Sequence, residues 1–185
     1  MREFLLKASN AFTADFSLND IAGAGRMDVV CRCVTSSLWL SDQLRKDTKF
    51  YAVLEGKPDP PKLIKFEPSK MKRFYPDERN IASHIRLALI GKKESGIEIE
   101  RKSFEEFLKE NSKKQIIYLH KDGIDIRKFE FGENVFFVLG DNKGLDENSE
   151  KILDEMNAER ISVGKNTYLA SQVISIVQNE LDRRL

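Results

Sequence analysis

The sequence predicts an α/β fold in which helices cover both faces of a parallel sheet. Two runs, Ile116 to Leu119 and Val135 to Leu139, are apolar at every position, as expected for strands buried on both faces of a sheet. Other segments carry apolar residues at helical spacing. Glycine-marked polar turns follow the apolar runs, and this order along the chain is typical of strand–helix–strand units.

The amino-terminal elements follow the same alternation. Strands are predicted at Phe4 to Ala8, at Phe50 to Leu54 and at Lys62 to Phe66, and the third alternates basic and apolar residues as an exposed strand does. Apolar periodicity and capping signals predict three helices. These are Arg26 to Leu44, a segment that begins at Pro76-Asp77-Glu78 and ends at Gly91, and Phe104 to Glu110 after the capping box Ser103-x-x-Glu106.

The carboxy-terminal half repeats strand and helix. After the two apolar runs, a helix is predicted around Glu150 to Met156, a short strand at Ile161 to Val163 and a long helix at Tyr168 to Leu185. The predicted buried stripe of the last helix is Leu169, Val173, Ile176, Val177 and Leu181.

Composition narrows the class of protein. The 185 residues include 31 basic and 30 acidic side chains, and the net charge of +1 excludes a protein that binds nucleic acid through bulk charge. Only Cys31 and Cys33 are cysteines, so a disulfide framework is excluded and a cytoplasmic setting is expected. A zinc site would need both cysteines and both histidines, His84 and His120, so we expect no metal. No signal peptide or membrane-spanning run is predicted.

The candidate site lies where the strands end. In open parallel sheets, ligands bind beyond the carboxyl ends of the strands. Here the strands are followed by His120, by Gly140-Asp141-Asn142-Lys143-Gly144 and by Gly164. Glycine lets backbone approach a ligand closely, although turn chemistry alone also explains these glycines. Another glycine-rich segment, Ala22 to Arg26, either binds an anion at a helix start or serves as a tight connector.

Two pairs of segments carry a family resemblance. FFVLGDNKGL (Phe136 to Leu145) and ISVGKNTYLASQVISIVQNELDRR (Ile161 to Arg184) resemble the cofactor loops of the SPOUT methyltransferase superfamily. FLLKASNAF (Phe4 to Phe12) and GRMDVVCRCVTSSLWLSDQLRKDT (Gly25 to Thr48) narrow this resemblance to the archaeal tRNA pseudouridine-54 N1-methyltransferases. The resemblance covers nearly the whole chain.

The resemblance implies a single SPOUT-type domain over residues 1–185, with a parallel sheet, helices on both faces and a C-terminal trefoil knot at about 115–185. It implies that the knot loops hold S-adenosylmethionine, with apolar side chains around the adenine. The expected cofactor-binding residues are Leu119, Leu139, Gly140, Asp141, Gly144, Ser162, Val163, Gly164, Tyr168, Leu169 and Val173. Relatives often carry histidine and cysteine where this chain has Gln172 and Val173; the reaction needs no cysteine, because N1 of pseudouridine is itself the nucleophile.

The implied reaction is N1-methylation of pseudouridine at position 54 in the tRNA T-loop, in which N1 loses a proton. A carboxylate suits that proton, and Asp20 is favoured as its acceptor or as an orienting group, with a turn cap as the alternative. Arg26 is expected to fix a phosphate or the flipped base. Asp28 is a further catalytic candidate, with stabilisation of the helix dipole as its alternative role.

A segment at about 57–80 is expected to face RNA, because basic residues there are interleaved with aromatic ones. The expected RNA-binding residues are Lys62, Lys65, Lys70, Lys72, Arg73 and Arg79. The resemblance also implies a homodimer and no membrane partner. Two alternatives remain open: an rRNA pseudouridine N1-methyltransferase of small-subunit ribosome biogenesis, and a non-catalytic RNA-binding assembly factor.

Overall fold

The computed structural model describes residues 1–184 and contains a seven-stranded sheet in the order β4-β3-β2-β1-β6-β5-β7. Five neighbouring strands, β2, β1, β6, β5 and β7, pair in parallel. At one edge of the sheet, β3 pairs antiparallel with β2, and β4 pairs antiparallel with β3. The strands are β1 (Arg2–Ala8), β2 (Thr48–Leu54), β3 (Lys62–Phe66), β4 (Ile97–Glu100), β5 (Gln115–Asp125), β6 (Val135–Gly140) and β7 (Glu159–Ser162).

Helices cover both faces of the sheet, as predicted. The helices are α1 (Met27–Leu38), α2 (Glu78–Leu89), α3 (Phe104–Glu110), α4 (Glu147–Glu155) and α5 (Ala170–Asp182). One buried apolar cluster joins the sheet to α1, α2 and α5, and a second joins it to α3 and α4. Strand β1 serves both, because successive side chains point to opposite faces: Phe4 and Leu6 lie in the first cluster and Leu5 in the second.

The prediction of a wholly parallel sheet is wrong at the edge formed by β3 and β4. The connection from β2 to β3 is too short for a crossover helix, so the chain returns antiparallel. The expectation that β3 is exposed is also wrong, since Leu63, Ile64 and Phe66 are fully buried. Helices lie on both faces of β3, and β4, a short strand that the sequence did not predict, covers its outer edge.

The predicted helix from Arg26 to Leu44 ends earlier, at Leu38. A tight turn follows, in which the Leu40 N–H donates to the Gln43 carbonyl at 2.9 Å and the Arg45 N–H donates to the Leu38 carbonyl at 2.7 Å. The turn residues Ser41 and Asp42 are polar and exposed, so no apolar packing sustains a helix there.

The carboxy-terminal helices also differ in detail. Helix α4 begins at Glu147, because the Asp146 side chain accepts the Ser149 N–H at 2.8 Å and caps it. Helix α5 begins at Ala170 and not at Tyr168, and Leu185 lies outside the described residues. Its buried face is Ile174, Val177, Gln178 and Leu181. The predicted buried stripe combined residues of this face with residues of a second, more accessible face. Leu169, for example, is 60% exposed.

Strand β5 runs past Leu119, where its apolar run ends. Both Leu119 and Ile124 lie opposite Ile161 of β7, so residues 120–123 form a bulge. Beyond β5, the chain contacts the end of α5: the Arg184 guanidinium donates to the carbonyls of Ile126 at 2.7 Å and Phe129 at 2.6 Å. None of the helices in residues 1–184 has the length and apolar character needed to span a lipid bilayer.

Candidate active site

A cavity of about 660 Å³ lies where the loops after β5, β6 and β7 meet. Because these strands are parallel neighbours, their carboxyl ends lie at one edge of the sheet. All of the residues predicted to bind a cofactor line this cavity: Leu119, Leu139, Gly140, Asp141, Gly144, Ser162, Val163, Gly164, Tyr168, Leu169 and Val173. The site is therefore assembled from segments far apart in sequence.

The loop after β6 is held by Asp141. The Asp141 N–H donates to the Lys7 carbonyl at 3.1 Å, while its two carboxylate oxygens accept the N–H groups of Ser9 at 2.7 Å and Lys143 at 2.8 Å. Glycine is required at Gly140, because a Cβ there would lie 2.2 Å from the carbonyl carbon of Gly144. The backbone of this loop consequently lies tightly folded against the cavity.

Side-chain hydrogen bonds within the loop after β7 and at the start of α5 fix the conformation of this loop. The Ser162 hydroxyl donates to the Gly164 carbonyl at 3.0 Å and accepts the Gly164 N–H at 3.2 Å. Gln172 accepts the Leu169 N–H at 3.0 Å and so caps the start of α5. The glutamine that replaces the family's histidine thus has a structural role, and Val173 lies in the cavity wall.

One wall of the cavity is apolar. It includes Leu119 of β5, Leu139 of β6, Val163 after β7 and Val173 of α5. Backbone amides and carbonyls of the loops lie beside these side chains. An apolar slot with polar backbone groups at its edge can hold a flat heteroaromatic ring and read its hydrogen-bonding pattern.

Two arginines, Arg26 just before α1 and Arg32 within it, also line the cavity. The Arg26 guanidinium donates to both Asp28 oxygens, at 3.0 and 3.1 Å, and Arg32 donates to Asp28 at 2.6 Å. Burial opposes ionisation of Asp28, but hydrogen bonds from the two guanidinium groups outweigh it and lower the pKa of this carboxyl below its usual value. Asp28 lies behind the arginines and is not part of the cavity lining, so it holds them in place.

Arg26 has a strained backbone. Its φ of 67° lies in the left-handed region, which side chains other than glycine, asparagine and aspartate rarely adopt. Strain of this kind is often found at functional sites, where surrounding contacts maintain it. The ion pair with Asp28 is one such contact.

Asp20 does not line the cavity. It is exposed in the turn before α1, where its carboxylate accepts the Gly23 N–H at 2.9 Å. The chain packs closely there, since a Cβ on Gly23 would lie 2.0 Å from an Asp20 oxygen. The turn-cap alternative therefore describes its contacts in this structure, and a role toward substrate stays a prediction.

The basic segment does not form one surface. Lys65 lies on the α3 side of the sheet, with Nζ 5.7 Å from the centre of the Phe107 ring and 2.6 Å from Glu100. Lys62 donates to the Thr13 carbonyl at 2.8 Å, and Lys70 lies 2.6 Å from Glu67. Lys62 and Lys65 point to different faces, because side chains along β3 alternate between faces. The RNA contacts of these lysines stay a prediction.

The other members of the basic segment are more accessible. Lys72 and Arg73 are exposed beyond β3. Arg79, at the start of α2, donates to the Leu18 carbonyl at 2.9 Å and to the Asn19 side chain at 3.2 Å. Arg79 therefore supports the turn that contains Asp20, and its RNA contact stays a prediction.

Several cavity residues were missed at the sequence level. They include Val29, Arg32, Tyr118, Lys121 and Glu150. Arg26, Val29 and Arg32 recur at every third position, which places them on one side of α1, and this spacing could have revealed Arg32. Nothing in the local sequence marks Glu150, because its position depends on how α4 packs against Tyr118.

Cys31, Cys33 and His84 lie outside the cavity lining, whereas His120 is part of it. Cys31 and Cys33 are fully buried in α1, and burial raises the pKa of both thiols. The His84 Nδ1 atom lies 2.5 Å from Glu94, so this helix histidine has a partner within the fold. Within residues 1–184, no group of three or more His, Cys, Asp or Glu residues is placed to hold a metal.

Known proteins resemble this chain along its full length. Residues 1–185 match the family described as "Putative SAM-dependent RNA methyltransferase". The sequence is 43% identical to the tRNA (pseudouridine(54)-N(1))-methyltransferase of Methanococcus aeolicus over 200 residues, which cover 99% of this chain and 98% of the relative. The protein of the same name from Methanocaldococcus jannaschii is 40% identical over 201 residues, covering 100% of this chain and 98% of that one.

A solved structure shares the fold. The crystal structure of Archaeoglobus fulgidus Nep1 bound to S-adenosylhomocysteine matches this chain with a TM-score of 0.64 at 16% identity. The match covers 98% of this chain and 97% of that one. The similarity therefore extends over the sheet and both helical layers.

Proposed function

Because this chain belongs to the family of S-adenosylmethionine-dependent RNA methyltransferases, we propose that it methylates N1 of pseudouridine 54 in tRNA. The observation that carries the proposal is the cavity at the carboxyl edge of the parallel strands, which is lined by every predicted cofactor residue. Two full-length relatives at 43% and 40% identity bear the name of this activity.

The cavity fits S-adenosylmethionine in size and chemistry. Its volume of about 660 Å³ lies within the range of small-molecule sites. Leu119, Leu139 and Val173 supply the apolar surface that an adenine ring needs, and the Gly140 to Gly144 loop supplies backbone donors and acceptors. When bound, this cofactor supplies a methyl group carried on positively charged sulfur.

The substrate side of the site is built on Arg26 and Arg32. Asp28 fixes both guanidinium groups at the cavity wall, where they are ready to bind a phosphate or a uracil carbonyl. We assign Arg26 to the target nucleotide and Asp28 to positioning Arg26. The depressed pKa of Asp28 makes it a poor proton acceptor at neutral pH.

Asp20 is our candidate for the N1 proton. Its carboxylate is exposed, and within residues 1–184 no basic side chain forms an ion pair with it. The turn around it is supported by Arg79, so bound RNA that covers this turn would bring a nucleotide to a positioned carboxylate. In this role Asp20 would accept the proton that N1 loses. The bound cofactor would supply the methyl group to N1 and keep its sulfur as a neutral thioether.

Base flipping brings the target to the cavity, since a stacked base cannot reach a methyl donor held inside it. We propose that Lys121 and Lys143, together with the two arginines, form a cationic rim that contacts the RNA backbone. The exposed Lys72, Arg73 and Arg79 extend this surface. Lys62, Lys65 and Lys70 are engaged by neighbouring groups and contribute less.

We further propose the trefoil knot, the homodimer and a cytoplasmic setting. The contact of Arg184 with the segment after β5 supports the knot, because it holds that segment against the end of α5. Leu169 and Tyr168, which are 60% and 39% exposed beside the cavity, support a dimer in which a second copy covers them. The two buried free cysteines support a reducing compartment.

The test is a methyl-transfer assay with a pseudouridine-containing T-loop RNA. Calorimetric titration first establishes S-adenosylmethionine binding, and mass spectrometry of the RNA then detects one added methyl group. The same T-loop with uridine at position 54 is the control, and we expect no methyl on it. Transfer to a small-subunit rRNA hairpin but not to the T-loop would overturn the tRNA assignment. Cofactor binding without transfer to either RNA would overturn the enzymatic one.

A further inference from the structure

Glu150 is an acidic side chain in the cavity wall for which the mechanism has no use. It lies in α4, half-buried, and its Oε1 accepts the hydroxyl of Tyr118 at 2.8 Å. Tyr118 is itself 4% exposed, so the carboxylate is anchored by a side chain that cannot move freely. Only one of its two oxygens is occupied by this bond, because Oε2 accepts no side-chain hydrogen bond within residues 1–184.

The start of α4 is rigid. Asp146 caps the helix through the Ser149 N–H, and the buried Lys7 ammonium binds both Asp146 and Glu55. Burial disfavours the charged form of Lys7, but the hydrogen bonds that it donates to these two carboxylates outweigh burial and raise the pKa of the ammonium. The Glu150 N–H donates to the Asp146 carbonyl at 3.0 Å, which ties Glu150 to this fixed point.

The basic side chains near Glu150 are paired elsewhere. Arg160 lies 2.9 Å from Asp154, and Lys151 lies 3.8 Å from Glu155. Asp141, the other carboxylate in the cavity, already accepts two backbone N–H groups. Within the described part of the chain, Glu150 is thus the cavity carboxylate without an ion pair or a second hydrogen bond. Because Glu150 is only half-buried in the cavity wall, a cationic ligand in the cavity can replace water as the partner of its free oxygen.

We infer that Glu150 recognises a positive charge of the methyl donor. The inference rests on the proposed function. S-adenosylmethionine carries two cationic groups, the sulfonium and the amino-acid ammonium, and either is suited to a fixed carboxylate. Glu150 is accordingly a specificity-determining residue, since it favours a charged cofactor over neutral adenosine compounds that fit the same apolar slot.

The test compares three ligands by calorimetry. S-adenosylmethionine has both charges, S-adenosylhomocysteine keeps only the ammonium, and 5′-methylthioadenosine keeps the adenine and ribose without either charge. For Glu150→Gln we expect about tenfold weaker binding of S-adenosylmethionine and unchanged binding of 5′-methylthioadenosine. An equal loss for S-adenosylhomocysteine identifies the ammonium as the partner, and an unchanged affinity identifies the sulfonium.

Glu147→Gln is the matched control. Glu147 lies in the first turn of the same helix and interacts with the same helix dipole, but it is exposed and outside the cavity lining. An equal effect of both substitutions, or equal weakening of 5′-methylthioadenosine, would overturn the inference. So would unchanged affinity of Glu150→Gln for S-adenosylmethionine, while the proposed function would stand. A wild-type protein that does not bind S-adenosylmethionine would overturn both. Tyr118→Phe, which only removes the anchoring hydroxyl, should give a smaller loss of the same selectivity.

Discussion

At the parallel end of the sheet, three loops from distant parts of the chain surround one cavity, whereas at the antiparallel edge the neighbouring lysines of β3 point to opposite faces. Both regions are rich in polar and charged residues that follow or interrupt apolar strands. The difference comes from strand direction and side-chain alternation: parallel neighbours bring their carboxyl ends together, while consecutive residues of one strand diverge. The sequence therefore predicts well which loops meet at the carboxyl ends of parallel strands. It predicts poorly which side chains of a single strand share one surface.

The substitution with the largest expected effect tests whether Asp20 accepts a proton or only caps its turn. Asparagine retains the oxygen that accepts the Gly23 N–H, so Asp20→Asn keeps the turn but removes the proton acceptor. We expect methyl transfer to fall about a hundredfold with S-adenosylmethionine binding unchanged. Single-turnover rates and calorimetry measure the two properties separately. Wild-type rates of methyl transfer in this variant would show that Asp20 acts only as a turn cap.

The next effect concerns the loop that closes the cavity. A methyl group on Gly140 would overlap the backbone of Gly144, so Gly140→Ala must displace the loop. We expect cofactor affinity to fall about tenfold or more, measured by calorimetry. Gly132→Ala is the control, because its Cβ would come no closer than 3.3 Å to the Gln115 side chain. Equal affinities in the two variants would mean that this loop does not contact the cofactor.

A smaller effect lies beneath the same loop, at the cap of α4. The hydrogen bond from Lys7 lowers the pKa of Asp146 from 3.8 to about 2, against a smaller opposing effect of burial. A depressed carboxyl pKa stabilises the fold above pH 3.8 and ceases to do so as the pH falls toward 2. Because the side chain is 54% exposed, solvent screening limits the contribution to about 1 kcal/mol.

Asp146→Asn tests this contribution, because asparagine also caps helices. Urea unfolding at neutral pH should show a loss of about 1 kcal/mol relative to wild type. The difference should shrink as the pH is lowered through 4 toward 2, where the wild-type carboxyl also becomes neutral. A difference that does not change with pH would exclude the ion pair with Lys7 as its origin.

The smallest effect compares the two regions directly. Lys143→Ala removes a charge from the cavity rim, whereas Lys65→Ala removes one that is paired with Glu100 on the α3 side. We expect Lys143→Ala to weaken tRNA binding a few-fold and to reduce the slope of log affinity against log salt by about 1, with little change for Lys65→Ala. Filter binding at several salt concentrations measures both. The reverse result would show that RNA binds at the β3 segment and not at the cavity rim.

The sequence was sufficient for much of the fold, because apolar runs, the capping box and glycine-marked turns depend on local chemistry. The residues that line the cavity were named from the family resemblance, and their contact with a cofactor stays a prediction. The antiparallel edge and the early end of α1 depend on packing between distant elements, which periodicity does not report. The same limit applies to Glu150, whose place in the cavity is set by contact with Tyr118.

The cavity is lined on one side by residues of α1 and on the other by loops that follow β6 and β7. Chains are synthesised from the amino end, so the arginine pair of α1 emerges well before the loops that it faces. A ribosome-bound chain that stops at β5 has its candidate substrate-binding arginines but no enclosed slot for the methyl donor. The order of segments along the chain thus delays formation of the complete site until nearly all of the sheet has been made.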